Sequence, residues 1–220
     1  MSLFTKKTAD VTSTPDVNQH SETTPREEHP LAEIVRFSII AILIVIPVRM
    51  FIAQPFIVSG ASMDNTFHSG QYLIVDQLSY HLHQPARGDV VIFRYPRDPS
   101  KFFIKRLIGL PGDRIVIDDA KVTIYNEANP DGFTLSEPYI KSMQPAPRFE
   151  ETLGDREYFV MGDNRDFSSD SRAWGVLQEE RIVGRALIRL FPASALDYLP
   201  GAYNEAVPGD NAADESSTSS

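Results

Sequence analysis

Cysteine is absent from all 220 residues, so disulfides, thiolate nucleophiles and thiolate-ligated zinc are excluded at the outset. A basic excess is missing too: 21 Lys and Arg stand against 30 Asp and Glu, for a formal charge of -9. With no basic stripe to neutralise phosphates, nucleic acid is not among the expected partners. Histidine is scarce, at five residues, and two of them, His20 and His29, fall in a stretch of tail-like composition. His81-x-His83 is at most half of a metal site, and two exposed loop histidines are the simpler reading, so no metal is expected. No histidine looks fit to activate a serine. Internal repeats are lacking. Past residue 58 no window of useful length carries a helical period, apart from a short possible turn near LQEER (177–181).

What is present divides the chain. Residues 1–30 are rich in Ser, Thr, Pro and charge without apolar periodicity, and residues 201–220 are acidic, small and polar. Both compositions predict disordered tails. Between them, residues 31–54 hold the most hydrophobic stretch. Its uncharged core, Phe37 to Val48, has only 12 residues. At about 1.5 Å per residue that falls far short of a hydrocarbon layer roughly 30 Å thick. Extension from Leu31 to Ile52 reaches spanning length and takes in Glu33, Arg36 and Arg49. The two arginines sit close to the ends, where long side chains snorkel to the headgroups. The expectation is a single uncleaved membrane anchor: the stretch lies too far from the N-terminus for a signal peptide, and no small-x-small site follows at once. Lys6, Lys7, Arg26 and Arg36 precede it and Arg49 follows, a weak bias towards a cytoplasmic N-terminus.

Residues 55–200 read differently. QYLIVDQLSY, GDVVIFRYP, KFFIKRLIGLPGDRIVID, KVTIYN, EYFVMGD and RIVGRALIRLFP are short β-branched and aromatic runs bounded by Gly, Pro, Asp and Asn. This pattern predicts a mainly β domain of short strands joined by turns, with LPGD (110–113) as one of them.

Within that domain, KFFIKRLIGL places Phe102, Ile104, Arg106 and Ile108 on one strand face and Phe103, Lys105 and Leu107 on the other. Two cations are thus set among hydrophobes. A guanidinium keeps its charge, whereas a desolvated lysine loses its proton readily. A neutral lysine amine beside a serine hydroxyl is a general base that needs no histidine. The candidate serine is Ser62, in SGASMDNTF, which lies 43 positions from Lys105. Taken alone the pair is weak, since a polar-loop serine and a snorkelling lysine are the ordinary reading. A third stretch, MGDNRDFSSDSRAWG (161–175), packs acids, arginines and serines between Met161 and Trp174. A loop of that kind, held against the core, can orient a neighbouring lysine.

Together these segments resemble the type I signal peptidases, membrane-anchored serine proteases with a Ser/Lys dyad. The matching motifs are SGASMDNT, RGDVVIF (87–93), KRLIGLPGD (105–113) and GDNRDFSSDSR (162–172), in the family's order and after an N-terminal anchor. The resemblance implies that Ser62 is the nucleophile and Lys105 the general base. It implies that Ser168 holds the lysine amine, and that Asp163, Arg165, Asp166, Asp170 and Arg172 form a supporting polar network. The backbone N–H of Ser62 would serve the oxyanion. The implied fold is a single N-terminal transmembrane helix followed by a β-rich catalytic domain with a smaller β insertion, here residues 118–157. The implied substrates are preproteins, cut after the small-x-small end of their signal peptides at the bilayer, with the catalytic domain extracytoplasmic. No metal or organic cofactor is implied. The sequence departs from the family at Asn65, usually proline, at Phe67, commonly leucine, and at Phe167, usually asparagine. At Gly60 some members carry a serine that helps the oxyanion. Two rival readings remain: a membrane-tethered β domain without catalysis, and a Ser/Lys protease of the self-cleaving repressor type, which would need a DNA-binding module not found before Ser62. The distance from Ser62 Oγ to Lys105 Nζ separates the first rival from an active dyad.

Overall fold

The computed structural model describes residues 30–47 and 53–203. Helix α1 (Pro30–Pro47) opens on a proline, whose missing N–H has no partner to lose in a first turn, and Glu33 complements the positive end of the helix. Its 18 residues give a rod of about 27 Å. Leu31, Ile34, Phe37 and Leu43 are all exposed along it. Among the described residues no helix is long and apolar enough to cross a membrane. The anchor expected over 31–54 also takes in residues 48–52, which lie outside the described residues, as do 1–29 and 204–220 of the two expected tails.

The rest is mainly β. In chain order the strands are β1 (Ala53–Ile57), β2 (Tyr72–Asp76), β3 (Val90–Tyr95), β4 (Asp98–Gly109), β5 (Arg114–Asp118), β6 (Lys121–Tyr125), β7 (Phe133–Thr134), β8 (Phe149–Thr152), β9 (Glu157–Met161), β10 (Leu177–Gln178), β11 (Ile182–Phe191) and β12 (Asp197–Tyr198). Two four-residue helices interrupt them, α2 (Ser79–Leu82) and α3 (Ser171–Trp174). The expected turn near LQEER is a 3-10 turn at Glu179–Arg181. The larger sheet runs β1-β2-β11-β3-β4-β9-β10, with β12 beside β11. The smaller runs β7-β6-β5-β8.

The smaller sheet starts at Arg114, ahead of the 118 read from the sequence, and its last strand ends at Thr152. The reason is local. β5 leaves the Leu110–Asp113 turn directly and pairs with β6 from Arg114↔Tyr125 to Asp118↔Lys121. Asp119 and Ala120, both at positive φ, close that two-residue hairpin. Glu157 already belongs to β9 of the larger sheet.

Three apolar clusters form the core. One joins the sheets through Ile108, Ile115, Ile124, Phe159 and Met161. A second gathers Val58, Met63, Phe67, Leu73 and Val75, and the third holds Val91, Phe93, Leu107 and Val160. What positions the site is β4. It is exposed from Pro99 to Phe102 and buried from Lys105 to Gly109, so it carries Lys105 and Arg106 from the surface into the core.

Candidate active site

Ser62 sits on a turn that two neighbouring side chains pin down. Met63 and Phe67 are buried in the core cluster with Val58 and Leu73. The backbone between them is closed by Asp64 N to Ala61 O at 3.1 Å and Phe67 N to Met63 O at 2.8 Å. Burial of both anchors fixes where the intervening peptide planes lie and leaves Ser62 half-buried at the lip. Gly60 has φ +97, a conformation in which a serine would be strained.

Asn65 has φ 95. Proline, held near φ -65°, cannot adopt this backbone, so the family's usual residue would force the turn into another shape. Asn65→Pro is expected to lower the thermal midpoint by the equivalent of more than about 1 kcal/mol, while Asn65→Gly holds or raises it. A midpoint for Asn65→Pro equal to that of the unsubstituted chain would show that the turn does not need this conformation.

Lys105 reaches the same lip from β4. Its side chain is buried, with 3% of the residue exposed. Its Nζ lies 2.6 Å from Ser62 Oγ and donates to the Ile104 carbonyl at 2.9 Å. Burial brings the amine down from 10.5 to about 8, against an opposing pull from Asp170 and Asp163. No carboxylate forms an ion pair with Lys105 among the described residues. Charged, the amine donates to the serine. Neutral, it accepts the hydroxyl proton, which is the direction that activates an alcohol.

The loop at 162–172 backs this pair. Asp163 and Arg106 form a fully buried bidentate ion pair: Nε to Oδ1 at 2.8 Å and Nη2 to Oδ2 at 2.6 Å. Thr66 Oγ1 donates to the same Oδ2 at 2.5 Å, and Asp163 N donates to Met63 Sδ at 3.4 Å. Asn164 ties the loop to the nucleophile turn twice, through its N to Ser62 O at 3.1 Å and its Nδ2 to Ala61 O at 2.9 Å. Asp170 caps α3, accepts from Gly162 N at 3.1 Å, and takes both Nε and Nη2 of Arg172 at 2.8 Å. Arg172 Nη2 in turn donates to Arg165 O at 2.6 Å, and the Arg165 guanidinium is paired with Glu137.

Asp166 is exposed and accepts from Ser142 Oγ and Gln144 N, so its part is to fasten the 142–144 segment to the loop. Ser168, expected to hold the amine, has a buried hydroxyl with no hydrogen-bond partner among the described residues, while Lys105 Nζ donates to Ile104 O. Ser168 is nonetheless close by. A Cβ at Gly162 would meet both Ser168 Oγ and Ser62 O, so this glycine allows the loop to close on the turn.

Sequence reasoning passed over Thr66, Asn164 and Glu137. Arg106 carried a signal, as a cation in an apolar run. Glu137, in an irregular stretch far from any motif, carried none.

A cleft of about 500 Å³ opens over the pair. Val58, Leu73, Ile92 and Ile104 line it beside Ser62 and Lys105. Phe167 stands on its rim, 78% exposed.

The family model described as signal peptidase, peptidase S26, matches residues 31–191. The chain is 35% identical over 174 residues to a probable signal peptidase I-1 of Synechocystis sp., covering 74% of this chain and 84% of that one. It is 32% identical over 188 residues to signal peptidase I of Leptolyngbya laminosa, covering 82% and 90%. Signal peptidase I T of Bacillus subtilis is 34% identical over 192 residues, covering 81% and 95%. Among solved structures, a signal peptidase I from Enterococcus faecalis matches with a TM-score of 0.40 at 30% identity, covering 47% of this chain and 97% of that chain. On the family match and these relatives, the chain belongs to the type I signal peptidases, serine endopeptidases of peptidase family S26.

Proposed function

We propose that this chain cuts preproteins after the small-x-small end of their signal peptides, with Ser62 as nucleophile and Lys105 as its base. The observation that carries the reading is the 2.6 Å approach of a buried lysine amine to the Ser62 hydroxyl. Neutral Lys105 takes the proton as Ser62 Oγ attacks the scissile carbonyl, then returns it to the leaving amine. Water resolves the acyl-enzyme along the same proton path. The backbone N–H of Ser62 serves the oxyanion.

The cleft supports the substrate class. Its floor of Val58, Leu73, Ile92 and Ile104 is apolar and suits small uncharged side chains. β4 pairs with β9 only from Arg106 onward, which leaves the edge from Phe102 to Lys105 facing the cleft as a template for an extended substrate.

The anchor belongs to this reading too. The apolar stretch over 31–54 is taken as a single membrane span, with the β domain outside the cytoplasm. Ser62 follows it within about ten residues, so enzyme and signal peptide share one bilayer, and confinement raises the substrate's effective concentration.

Purified protein in lipid is incubated with a preprotein bearing an Ala-x-Ala site, and the N-terminus of the product is read by mass spectrometry. The expected product starts one residue past the second alanine and is absent with Ser62→Ala. Cleavage elsewhere, or cleavage that survives Ser62→Ala, would overturn the assignment.

A further inference from the structure

The family match stops at residue 191, yet the chain that follows folds back onto the site. A 3-10 turn at Ala193–Ala195 and β12 bring it alongside β11. Arg189 binds this return, through Nε to Ala195 O at 2.7 Å and Nη2 to Asp197 Oδ2 at 3.1 Å, and its Nη1 reaches the nucleophile turn at Thr66 O at 2.8 Å. Leu199 N then bonds to Leu187 O at 2.7 Å, and Ala202 N to Leu199 O at 3.0 Å.

The contacts from here on converge on the machinery behind Ser62. Gly201 O accepts from Arg106 Nη1, the nitrogen that also donates to Gly88 O at 2.9 Å. Gly201 has φ +73, and a Cβ there would meet Thr66 Cγ2, with Arg106 Nη2 and Phe67 Cε2 at 3.4 Å. Gly88, whose carbonyl shares that nitrogen, has φ +91, and a Cβ there would meet Tyr203 O. Tyr203 itself packs edge-on against Tyr139 at 5.6 Å, the ring over which Arg106 sits at 3.8 Å. Its hydroxyl lies 3.3 Å from Ser136 Oγ. Arg106 holds Asp163, Asp163 holds Thr66, and Thr66 is four residues from Ser62.

We propose that Leu199–Tyr203 is a positioning strap for catalysis: it seats Arg106 and Thr66, and through them the turn that presents Ser62 to Lys105. None of its residues touches the Ser62 hydroxyl or the Lys105 amine. Its effect is on where the nucleophile sits, so losing it lowers the rate of the chemical step more than it weakens substrate binding. A displacement of about 1 Å at a reacting group can cost roughly 10²-fold in rate.

The proposal rests on the Ser62–Lys105 reading, and the test keeps the two apart. Preprotein cleavage is followed for the full chain, Ser62→Ala, a chain ending at Tyr203, a chain ending at Tyr198, and Gly201→Ala. Each is measured at a temperature where near-ultraviolet circular dichroism shows the protein fully folded. Ending at Tyr203 is expected to leave kcat within about two-fold. Ending at Tyr198 is expected to lower kcat by about 10²-fold with KM within about three-fold, and Gly201→Ala to fall between. The pH midpoint of the residual activity should not move, since Lys105 stays buried in β4. A folded chain ending at Tyr198 that keeps its kcat, or changes only KM, overturns the proposal. If that chain does not fold, full kcat in Gly201→Ala overturns it instead. A full-length chain that fails to cleave takes down the Ser62–Lys105 reading and the strap with it.

Discussion

Lys105→Met is expected to abolish preprotein cleavage to the extent of about 10³-fold or more, and to leave a more heat-stable protein at neutral pH. Both effects come from one fact. The amine is buried within reach of Ser62 Oγ, and burial has lowered it to about 8. Methionine fills a similar volume without a proton acceptor, so the hydroxyl loses the base beside it, and a lost general base costs roughly 10²–10⁴-fold. In the unsubstituted enzyme only the neutral amine works. At pH 7 about one molecule in ten has it, so kcat/KM should rise nearly ten-fold per pH unit below the midpoint and flatten above about 8. Stability runs with the opposite sense of benefit. The folded-state value lies below the unfolded 10.5, so the unfolded chain binds the extra proton between about 8 and 10.5, and stability rises with pH across that window. Below about pH 8 the charged, desolvated amine costs the fold on the order of 3 kcal/mol, and Lys105→Met removes that cost. Thermal midpoints of the two proteins should therefore differ most at pH 6–7 and converge as the pH approaches 10.5. A pH–rate profile that is flat from 6 to 9, or a Met variant that melts below the parent at pH 7, would show that this lysine is not the buried base.

The alternation in KFFIKRLIGL was enough to see β4 and to mark Lys105 and Arg106 as two cations among hydrophobes, because strand periodicity is local. Their partners were not legible in the same way. Ser62 is 43 residues from Lys105 and Asp163 is 57 from Arg106, and such distances close only through sheet order and the β4–β9 pairing. The four motifs supplied by resemblance what periodicity could not, naming Ser62 with Lys105 and placing Asp163 in the supporting network, without naming Arg106 as its partner. They say nothing of contacts made by the backbone or by residues outside the motifs. The Ile104 carbonyl that accepts from the amine had no mark in the sequence, because no side-chain pattern signals a carbonyl. Asn65 stands where the family usually has proline, and only the structure reveals its positive φ, a conformation that proline cannot take. Glu137 closes the ion pair to Arg165 from an irregular stretch with no periodicity to mark it. The return of 199–203 onto Arg106 was hidden for a further reason: the expected domain ends at residue 200 and gives 201–203 to the polar tail, and their contacts run mainly through backbone carbonyls.

Asp163→Asn is expected to destabilise the protein by about 3–5 kcal/mol, the usual consequence of breaking a fully buried ion pair from one side. The shape is kept, so the loss is electrostatic. The fully buried Arg106 guanidinium keeps Gly88 O and Gly201 O as acceptors but loses the carboxylate paired with it. The amide must also give up an acceptor, because one of its two positions now carries N–H groups facing Arg106 or Thr66, both of them donors. Thr66 is the link to function. Once its hydroxyl loses the carboxylate, the turn from Met63 to Phe67 keeps its apolar anchors and the Arg189 bond to Thr66 O but loses its side-chain link to Asp163. Urea unfolding of Asp163→Asn, Arg106→Met and the double variant tests this directly. The double variant should be less destabilised than the sum of the singles by more than about 1 kcal/mol, since removing both charges leaves none stranded. Additive losses would mean that the pair is held by its surroundings and not by mutual attraction. Activity gives the second reading: kcat of Asp163→Asn, taken where the protein is folded, should fall while its pH midpoint shifts down from about 8, because Asp163 is one of the two carboxylates that favour the charged form of Lys105. A downward shift with reduced kcat separates this residue's effect on the base from a loss of folded protein, which would lower the rate at every pH alike.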